Sequence, residues 1–199
     1  MALVLEKSER RKMTLEDFEN LPEGPPYYDY IRGEAIQVNR PTARHADVQC
    51  YLLIALKTHV NENGLGRAHQ EIDVKLPSGD WVGPDIILLA REHFDRYDEG
   101  KGDLFGIPDL IVEISSPSTS SYDRVEKFDL YWENKVPWVW FVEQDTLSVE
   151  EYKWTTEGYL RAGSAVGGTI FRPHLFEALE IDLMYLMSKE PSSDEQDVN

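Results

Sequence analysis

The sequence predicts a mixed α/β domain with a mixed central β-sheet flanked by helices. Residues 110–114 and 138–142 are short apolar runs of the kind that form buried strands. Residues 28–38 and 71–76 alternate polar and apolar side chains, as half-buried strands do. Residues 42–63 instead repeat apolar side chains at helical spacing. Helices and strands therefore alternate along one chain, which is typical of this fold class.

The N-terminal part is predicted to form a short helix followed by a hairpin. Thr14 opens a capping box, and the helix ends at the proline-rich residues 22–26. The hairpin 28–38 turns at Arg32 and Gly33, where the alternation is interrupted.

The rest of the chain is predicted from the same patterns. The long helix 42–63 has Gly64 as its C-cap, and residues 71–76 pair with residues 81–90 as a second hairpin. The later elements are an irregular segment 91–106, a buried strand 109–115, a helix from Ser120 or Ser121 to about 134, a buried strand 138–142, edge strands 147–153 and 159–162, and a C-terminal helix 176–187.

Length and composition predict one domain. The chain has 199 residues, of which 41% are hydrophobic, enough for a full core. We expect a single domain at 13–188, a flexible N-terminal segment at 1–12 and a disordered acidic tail at 189–199. The single cysteine, Cys50, excludes an internal disulfide and is expected to be a packing residue.

Charge and hydropathy indicate where the protein is expected to be located and which partners it is expected to attract. No apolar run reaches membrane-spanning length and the N-terminus has no secretory pattern, so we expect a soluble, cytoplasmic protein. The net charge is -17 and the pI is about 4.6. Such a charge opposes non-specific binding to nucleic acid, whose backbone attracts Lys and Arg.

Two acidic residues lie where a hydrophobic residue would cost less free energy. Glu113 is in the middle of the run 110–114, and Asp85 opens the run 86–90. A buried carboxylate costs several kcal/mol unless it is compensated. If the two strands are neighbours, the acids lie roughly 5 Å apart in the sheet, whereas Asp109 is ~13 Å from Glu113 along its own strand. Asp85 and Glu113 are therefore the expected pair.

This pair predicts a site for a hard divalent cation. Mg²⁺ or Mn²⁺ would be held by Asp85, Glu113 and the main-chain carbonyl of Ile114, with waters completing the shell. The expected chemistry is hydrolysis of phosphodiester bonds. Ser115 lies two residues beyond Glu113 on the same face of the strand, where a lysine would supply a cation.

Asp85, Glu113 and Ser115 resemble the Asp...Glu-x-Lys signature of the PD-(D/E)xK nuclease superfamily, with serine at the lysine position. The chain is more closely similar to a bacterial family named "putative restriction endonucleases", often described only as a domain of unknown function. This likeness spans roughly residues 14–153, and residues 113–119 are its most specific part. The matching residues are, in order, Gly33-Glu34, His45, Pro84-Asp85, the segment 108–119, Asp123, Lys127 and Tyr131.

The resemblance implies a restriction-endonuclease-like fold with Asp85 and Glu113 as metal ligands. It also implies that the following helix supplies the lysine missing at Ser115. Lys127 is the candidate because Asp123, Lys127 and Tyr131 repeat at i, i+4 on one helix face.

Other interpretations stay open at this point. Glu113 is alternatively a buried acid neutralised by an Arg or Lys, or an edge-strand acid that faces solvent. Lys127 is alternatively a solvent-exposed partner of Asp123, and Ser115 a turn residue. Glu34 is expected at the rim of the site only through the resemblance, as an auxiliary ligand or base. His45, at a helix start, is more often a residue that faces water.

The sequence thus favours a metal-dependent endonuclease acting on DNA, with a homodimer as a further expectation. The alternative is a nuclease fold without catalysis that serves as a binding or regulatory module, which the serine at position 115 favours. A carbohydrate-active enzyme with two carboxylates is a weaker third reading, because such acids need not lie in apolar strands.

Overall fold

The computed structural model describes residues 9–22, 24–38, 40–115 and 122–187, apart from the side chains of 122, 123, 186 and 187. The helical segments are α1 (Leu15–Glu19), α2 (Ala43–Glu62), a 3-10 turn (Arg91–Arg96), a π-helical turn (Tyr122–Lys127), α3 (Phe128–Glu133) and α4 (Met184–Met187). The strands are β1 (Arg10–Lys12), β2 (Tyr27–Ile31), β3 (Glu34–Val38), β4 (Gly66–Gln70), β5 (Val74–Lys75), β6 (Trp81–Val82), β7 (Ile86–Ala90), β8 (Tyr97–Asp98), β9 (Asp103–Phe105), β10 (Leu110–Ser115), β11 (Trp138–Glu143), β12 (Ser148–Thr155), β13 (Gly158–Ala165), β14 (Ile170–Phe171) and β15 (Ile181–Asp182).

A six-stranded mixed sheet forms the centre of the fold, in the order β13-β12-β11-β10-β7-β4. β10 and β11 are parallel, and the other neighbours are antiparallel. The chain passes between the parallel pair through the π-helical turn and α3, because parallel strands need a long crossover. The predicted mixed central sheet is confirmed.

The two faces of this sheet are buried against different layers. Val112 and Ile114 pack with apolar residues of α2 on one face. Ile111 packs on the other face with Leu130 of α3 and with residues of a second sheet. Because side chains alternate along a strand, Glu113 is on the same face as Ile111. The carboxylate of Glu113 therefore enters the layer between the central sheet and α3.

The second sheet has seven strands in the order β1-β3-β2-β6-β5-β9-β8. The predicted hairpin is its β2–β3 pair, and Arg32 and Gly33 turn it with φ angles of 50° and 80°. α1 begins as predicted, because the Thr14 hydroxyl accepts a hydrogen bond from the backbone N–H of Asp17 at 3.1 Å. The flexible N-terminal segment was predicted to reach residue 12, but residues 10–12 pair with β3 as β1.

The predicted strand 81–90 is divided between the two sheets, which corrects the second hairpin. Of the predicted strand, only the β6 part pairs with β5. The β7 part pairs with β10 and with β4, a strand that the sequence did not predict. The break falls at Gly83-Pro84-Asp85, where proline lacks the N–H that a sheet ladder needs. The chain crosses from one sheet to the other at this point.

Helix predictions held for the long elements and failed at the C-terminus. α2 begins after the N-cap Thr42 and ends one residue before Asn63, close to the predicted bounds. Residues 176–187 were predicted to be helical, but only α4 is, because Ile181 is buried in the core from β15. Cys50 is exposed on α2, so the expectation of a packing residue was wrong.

Several predictions fall outside the residues that the structure describes. These are the segment before residue 9, the helix cap at Ser120 or Ser121 and the acidic tail 189–199. The domain bounds 13–188 stay a prediction. Across the described ranges, no helix is long and apolar enough to cross a membrane.

Candidate active site

The crossing between the two sheets places Asp85 at the start of β7. The backbone N–H of Gly83 donates a hydrogen bond of 2.9 Å to Asp29 Oδ1 of β2, which anchors the crossing to the second sheet. Asp85 Oδ2 accepts a hydrogen bond of 2.6 Å from the N–H of Ile114 in β10, which anchors it to the central sheet. Asp85 therefore lies where the two sheets meet.

α2 fixes the other atoms of Asp85. His45 Nε2 lies 3.2 Å from Asp85 Oδ1, and the Gln49 side-chain amide donates to the Asp85 carbonyl oxygen at 2.8 Å. His45 and Gln49 are four residues apart, so they lie on one face of the helix. The Asp85 side chain is held on two sides but keeps 21% of its surface exposed, which leaves it accessible to a ligand.

Glu113 lies opposite Asp85 when the register of β7 and β10 is continued by one residue. The last recorded pair is Val112 with Ile86, and the antiparallel pairing advances one residue on each strand. The bond from Ile114 N–H to the Asp85 carboxylate is consistent with this placement. Two carboxylates on neighbouring strands thus lie at one end of the β7–β10 ladder.

Lys127 and Tyr131 enclose Glu113 on the side of α3. Lys127 Nζ lies 3.1 Å from Glu113 Oε1 and 3.2 Å from Oε2, and the Tyr131 hydroxyl donates to Oε1. Lys127 Nζ is also 3.6 Å from Asp29 Oδ2. The exposed fractions are 2% for Glu113 and Asp29, 4% for Lys127 and 0% for Tyr131. These four residues form a buried polar cluster.

The charges of the buried cluster explain its arrangement. Two carboxylates and one ammonium leave a formal charge of −1, and each ion loses several kcal/mol of hydration on burial. The Tyr131 hydroxyl adds a neutral donor for Glu113. Burial, and then the negative charge of Glu113, raises the pKa of Tyr131 well above its ordinary value, so this hydroxyl keeps its proton and acts as a donor.

The helix after β10 positions both donors. Lys127 ends the π-helical turn and Tyr131 lies one turn later in α3, so the two side chains reach the same carboxylate. The alternative of a solvent-exposed Lys127 is therefore wrong. The alternative in which a lysine neutralises Glu113 agrees with the observed contact between Lys127 and Glu113.

The remaining predicted residues lie at different distances from the cluster. His45 contacts Asp85, although a position facing water was favoured. Ser115 is fully buried, and among the described residues its hydroxyl has no hydrogen-bond partner. Glu34 forms an ion pair with Arg10 at 3.7 Å, and Arg10 also contacts Glu126 of the π-helical turn. The link from Glu34 to that turn therefore runs through Arg10. The side chain of Asp123 is outside the described part of the chain.

Asp29 is the member of the cluster that sequence reasoning missed. It lies in β2 between two tyrosines, in a hairpin where alternating polar residues are ordinary. Only the packing of the second sheet against α3 shows that it faces inward.

The donor set fits a divalent cation in part. Asp85 and Glu113 offer carboxylate oxygens and Ile114 offers a main-chain carbonyl, which are ligands that Mg²⁺ prefers. Each carboxylate has about four acceptor positions. No group of three His, Cys, Asp or Glu side chains within the described ranges is placed to hold a metal. An ion here would depend on two acids, a carbonyl and water.

The fold and this site define a class, the restriction-endonuclease-like α/β proteins. Residues 15–184 match the model of the Uma2 family, described as "Putative restriction endonuclease", and the chain belongs to this family. A solved structure titled as a putative nuclease of DUF820 from Anabaena variabilis ATCC 29413 is similar, with a TM-score of 0.70 and 22% identity. The match covers 88% of this chain and 98% of that one, and confirms the fold class. A comparison with curated proteins finds no match.

Proposed function

We propose that the protein is a metal-dependent endonuclease that hydrolyses DNA phosphodiester bonds. The observation that carries the proposal is the placement of Lys127, which is buried and directed at Glu113 from the helix after β10. A lysine is absent from the usual position, Ser115, and Lys127 brings its ammonium to the same carboxylate. Membership of the Uma2 family supports the proposal independently.

In this proposal, Asp85, Glu113 and the Ile114 carbonyl hold Mg²⁺ or Mn²⁺. When bound, such an ion polarises a phosphoryl oxygen and lowers the pKa of a coordinated water. His45 and the Ile114 N–H orient Asp85, because each contacts one of its carboxylate oxygens. The ion also adds positive charge at a site where the surrounding protein is acidic.

Lys127 and Tyr131 position the carboxylate of Glu113. The Tyr131 hydroxyl holds Glu113 Oε1 by donating a hydrogen bond to it, and the raised pKa of Tyr131 keeps the proton on the hydroxyl. Lys127 places its ammonium beside Glu113 and Asp29, and in the complex it would stabilise negative charge on the phosphoryl group. Asp29 holds Lys127 from the side of the second sheet, so we assign it a positioning role.

The competing proposal is a binding or regulatory module without catalysis. The observation in its favour is that the ammonium of Lys127 already neutralises a buried carboxylate, which a purely structural ion pair also does. The two proposals differ in whether the acids act on DNA. A homodimer and a cytoplasmic location remain expectations for either one.

The test is cleavage of supercoiled, linear and single-stranded DNA by the purified protein with Mg²⁺, Mn²⁺ or EDTA. Variants Asp85→Asn, Glu113→Gln and Lys127→Met are compared with Glu151→Gln. Glu151 is a matched control, because it is also a buried glutamate of the central sheet but bonds to the Trp140 indole and to backbone N–H groups of residues 174 and 175.

We expect cleavage by the wild type only with a metal, and its loss in the three site variants but not in Glu151→Gln. Titration calorimetry adds a reading that does not depend on activity, since Asp85→Asn and Glu113→Gln should abolish Mn²⁺ binding. A wild-type protein that cuts no DNA and binds no metal would refute the enzyme and favour the module. Equal loss in Glu151→Gln would trace the effect to folding.

A further inference from the structure

A polar groove is lined in part by the π-helical turn that also carries Lys127. It is about 590 Å³ in volume and is bounded by β12, by β13 with the residues that follow it, and by the π-helical turn. The polar side chains that line it are those of Arg124, Ser148, Glu150, Arg161, Ser164 and Thr169. The groove thus combines two guanidinium groups with three hydroxyls and a single acid.

The groove is positively charged although the protein is acidic. Arg124 donates to Glu150 Oε2, and Arg161 Nη2 lies 3.6 Å from Glu150 Oε1. Two guanidinium groups share one carboxylate, so these three residues carry a formal charge of +1 in a chain whose net charge is -17. Each guanidinium has five N–H donors, and the contact with Glu150 uses few of them.

Strand register places this groove in line with the candidate active site. Glu113 of β10 pairs with Phe141 of β11, which pairs with Glu150 of β12, which pairs with Ser164 of β13. Directly paired residues project from the same face of a sheet. The Arg124 guanidinium lies 5.5 Å from the ring centre of Phe141, between the two sites.

The distance along this row suits a nucleic-acid strand. Glu150 is two strands from Glu113, which is about 10 Å at ordinary strand spacing. Phosphates of one strand of a duplex rise ~3.4 Å each along the helix axis, so this offset corresponds to a phosphate about three nucleotides away. Arg124 is also only three residues before Lys127 in the same helical segment.

We propose that this groove binds a backbone phosphate of the DNA strand that flanks the scissile bond, an inference that rests on the proposed function. Arg124 and Arg161 contact the phosphate oxygens, and the hydroxyls of Ser164 and Thr169 add neutral donors. Guanidinium groups favour phosphate because their paired N–H donors match its oxygens. Glu150 keeps the two arginines together when no DNA is bound. The groove thereby supplies the local attraction that the acidic surface lacks.

Binding of a fluorescent DNA duplex, followed by anisotropy, tests this inference without relying on cleavage. Ca²⁺ replaces Mg²⁺ so that the duplex stays intact, and affinity is measured over a range of salt concentrations. Arg161→Gln is the main variant because the Arg161 side chain is 54% exposed on an edge strand, where substitution spares the core. Arg161→Lys keeps the charge. Arg172→Gln is the matched control, since Arg172 is an exposed arginine paired with Glu180 outside the groove.

We expect Arg161→Gln to weaken duplex binding by about tenfold to a hundredfold. The slope of log K against log salt should fall by about one, the change for one lost phosphate contact. Arg161→Lys should keep that slope, and Arg172→Gln should match the wild type. Thermal unfolding of each variant confirms that it is folded.

Two results would overturn the inference and they have different meanings. If Arg161→Gln binds DNA with the affinity and slope of Arg172→Gln while the wild type cleaves, the groove is no subsite and the proposed function stands. If the wild type neither binds nor cleaves DNA, both the groove and the proposed function are refuted. Binding that depends on Arg161 in a protein without cleavage would support the groove and refute the hydrolytic role.

Discussion

The Lys127–Glu113 contact can be measured as a coupling free energy. Lys127→Met leaves Glu113 and Asp29 buried without their ammonium group, whose contacts are 3.1 Å and 3.6 Å long. Removing one partner of a buried pair destabilises a protein by about 3–5 kcal/mol. In the double variant with Glu113→Gln, no charge remains at position 113. The double variant should therefore lose less stability than the sum of the single losses, with a coupling of about 1–3 kcal/mol.

Urea unfolding followed by tryptophan fluorescence measures each free energy, since the chain has five tryptophans. Lys75→Met combined with Glu113→Gln is the control pair. Lys75 forms an ion pair with Asp103 in the second sheet, so its loss should add to that of Glu113→Gln. Additive losses for Lys127→Met and Glu113→Gln, with coupling below about 0.5 kcal/mol, would refute the buried contact.

Three further outcomes are expected. Tyr131→Phe should lower stability by about 1–3 kcal/mol, because it removes a donor from a buried carboxylate; an unchanged urea midpoint would contradict the bond to Glu113. Ser115→Ala should leave the free energy of unfolding unchanged or raise it, because the buried hydroxyl has no partner among the described residues. If the variant instead loses activity in a cleavage assay, the hydroxyl contacts the substrate. Burial lowers the pKa of His69 from 6.5, so the folded state binds protons less readily than the unfolded state, and stability should fall as pH decreases below about 6.5. His69→Gln should flatten that fall in urea titrations across this pH range, whereas a parallel pH profile would exclude His69 as its source.

The sequence predicts the carboxylate pair because its signals are local. Glu113 and Asp85 each interrupt or begin an apolar run, which predicts that each belongs to a buried strand. The structure shows that these two strands are neighbours. The i, i+4 spacing of Lys127 and Tyr131 is equally local, and both side chains do reach Glu113. The family match confirms the assignment to a nuclease-like family, and the strand pairing confirms the mixed sheet. The catalytic roles stay predictions.

Contacts between distant segments set the limits of prediction. Asp29 belongs to a hairpin whose inner face is defined only by packing of the second sheet, so no local pattern identifies it. The strand 81–90 appeared continuous because the apolar pattern resumes after Pro84, and its division depends on pairing with β4 and β10. The C-terminal segment shows the same effect, since tertiary packing overrides the helical pattern.

Lys127 contacts residues of both sheets, so the cluster forms only when both sheets are folded. Asp29 comes from the second sheet and Glu113 from the central sheet, while Lys127 belongs to the helix between them. A chain that has formed one sheet without the other lacks part of the cluster and leaves a charge without its partner. The cluster is therefore complete only after both sheets and the helix between them have assembled. A nascent or damaged chain cannot hold these groups together. Under the proposed function, hydrolysis would therefore require the completed fold.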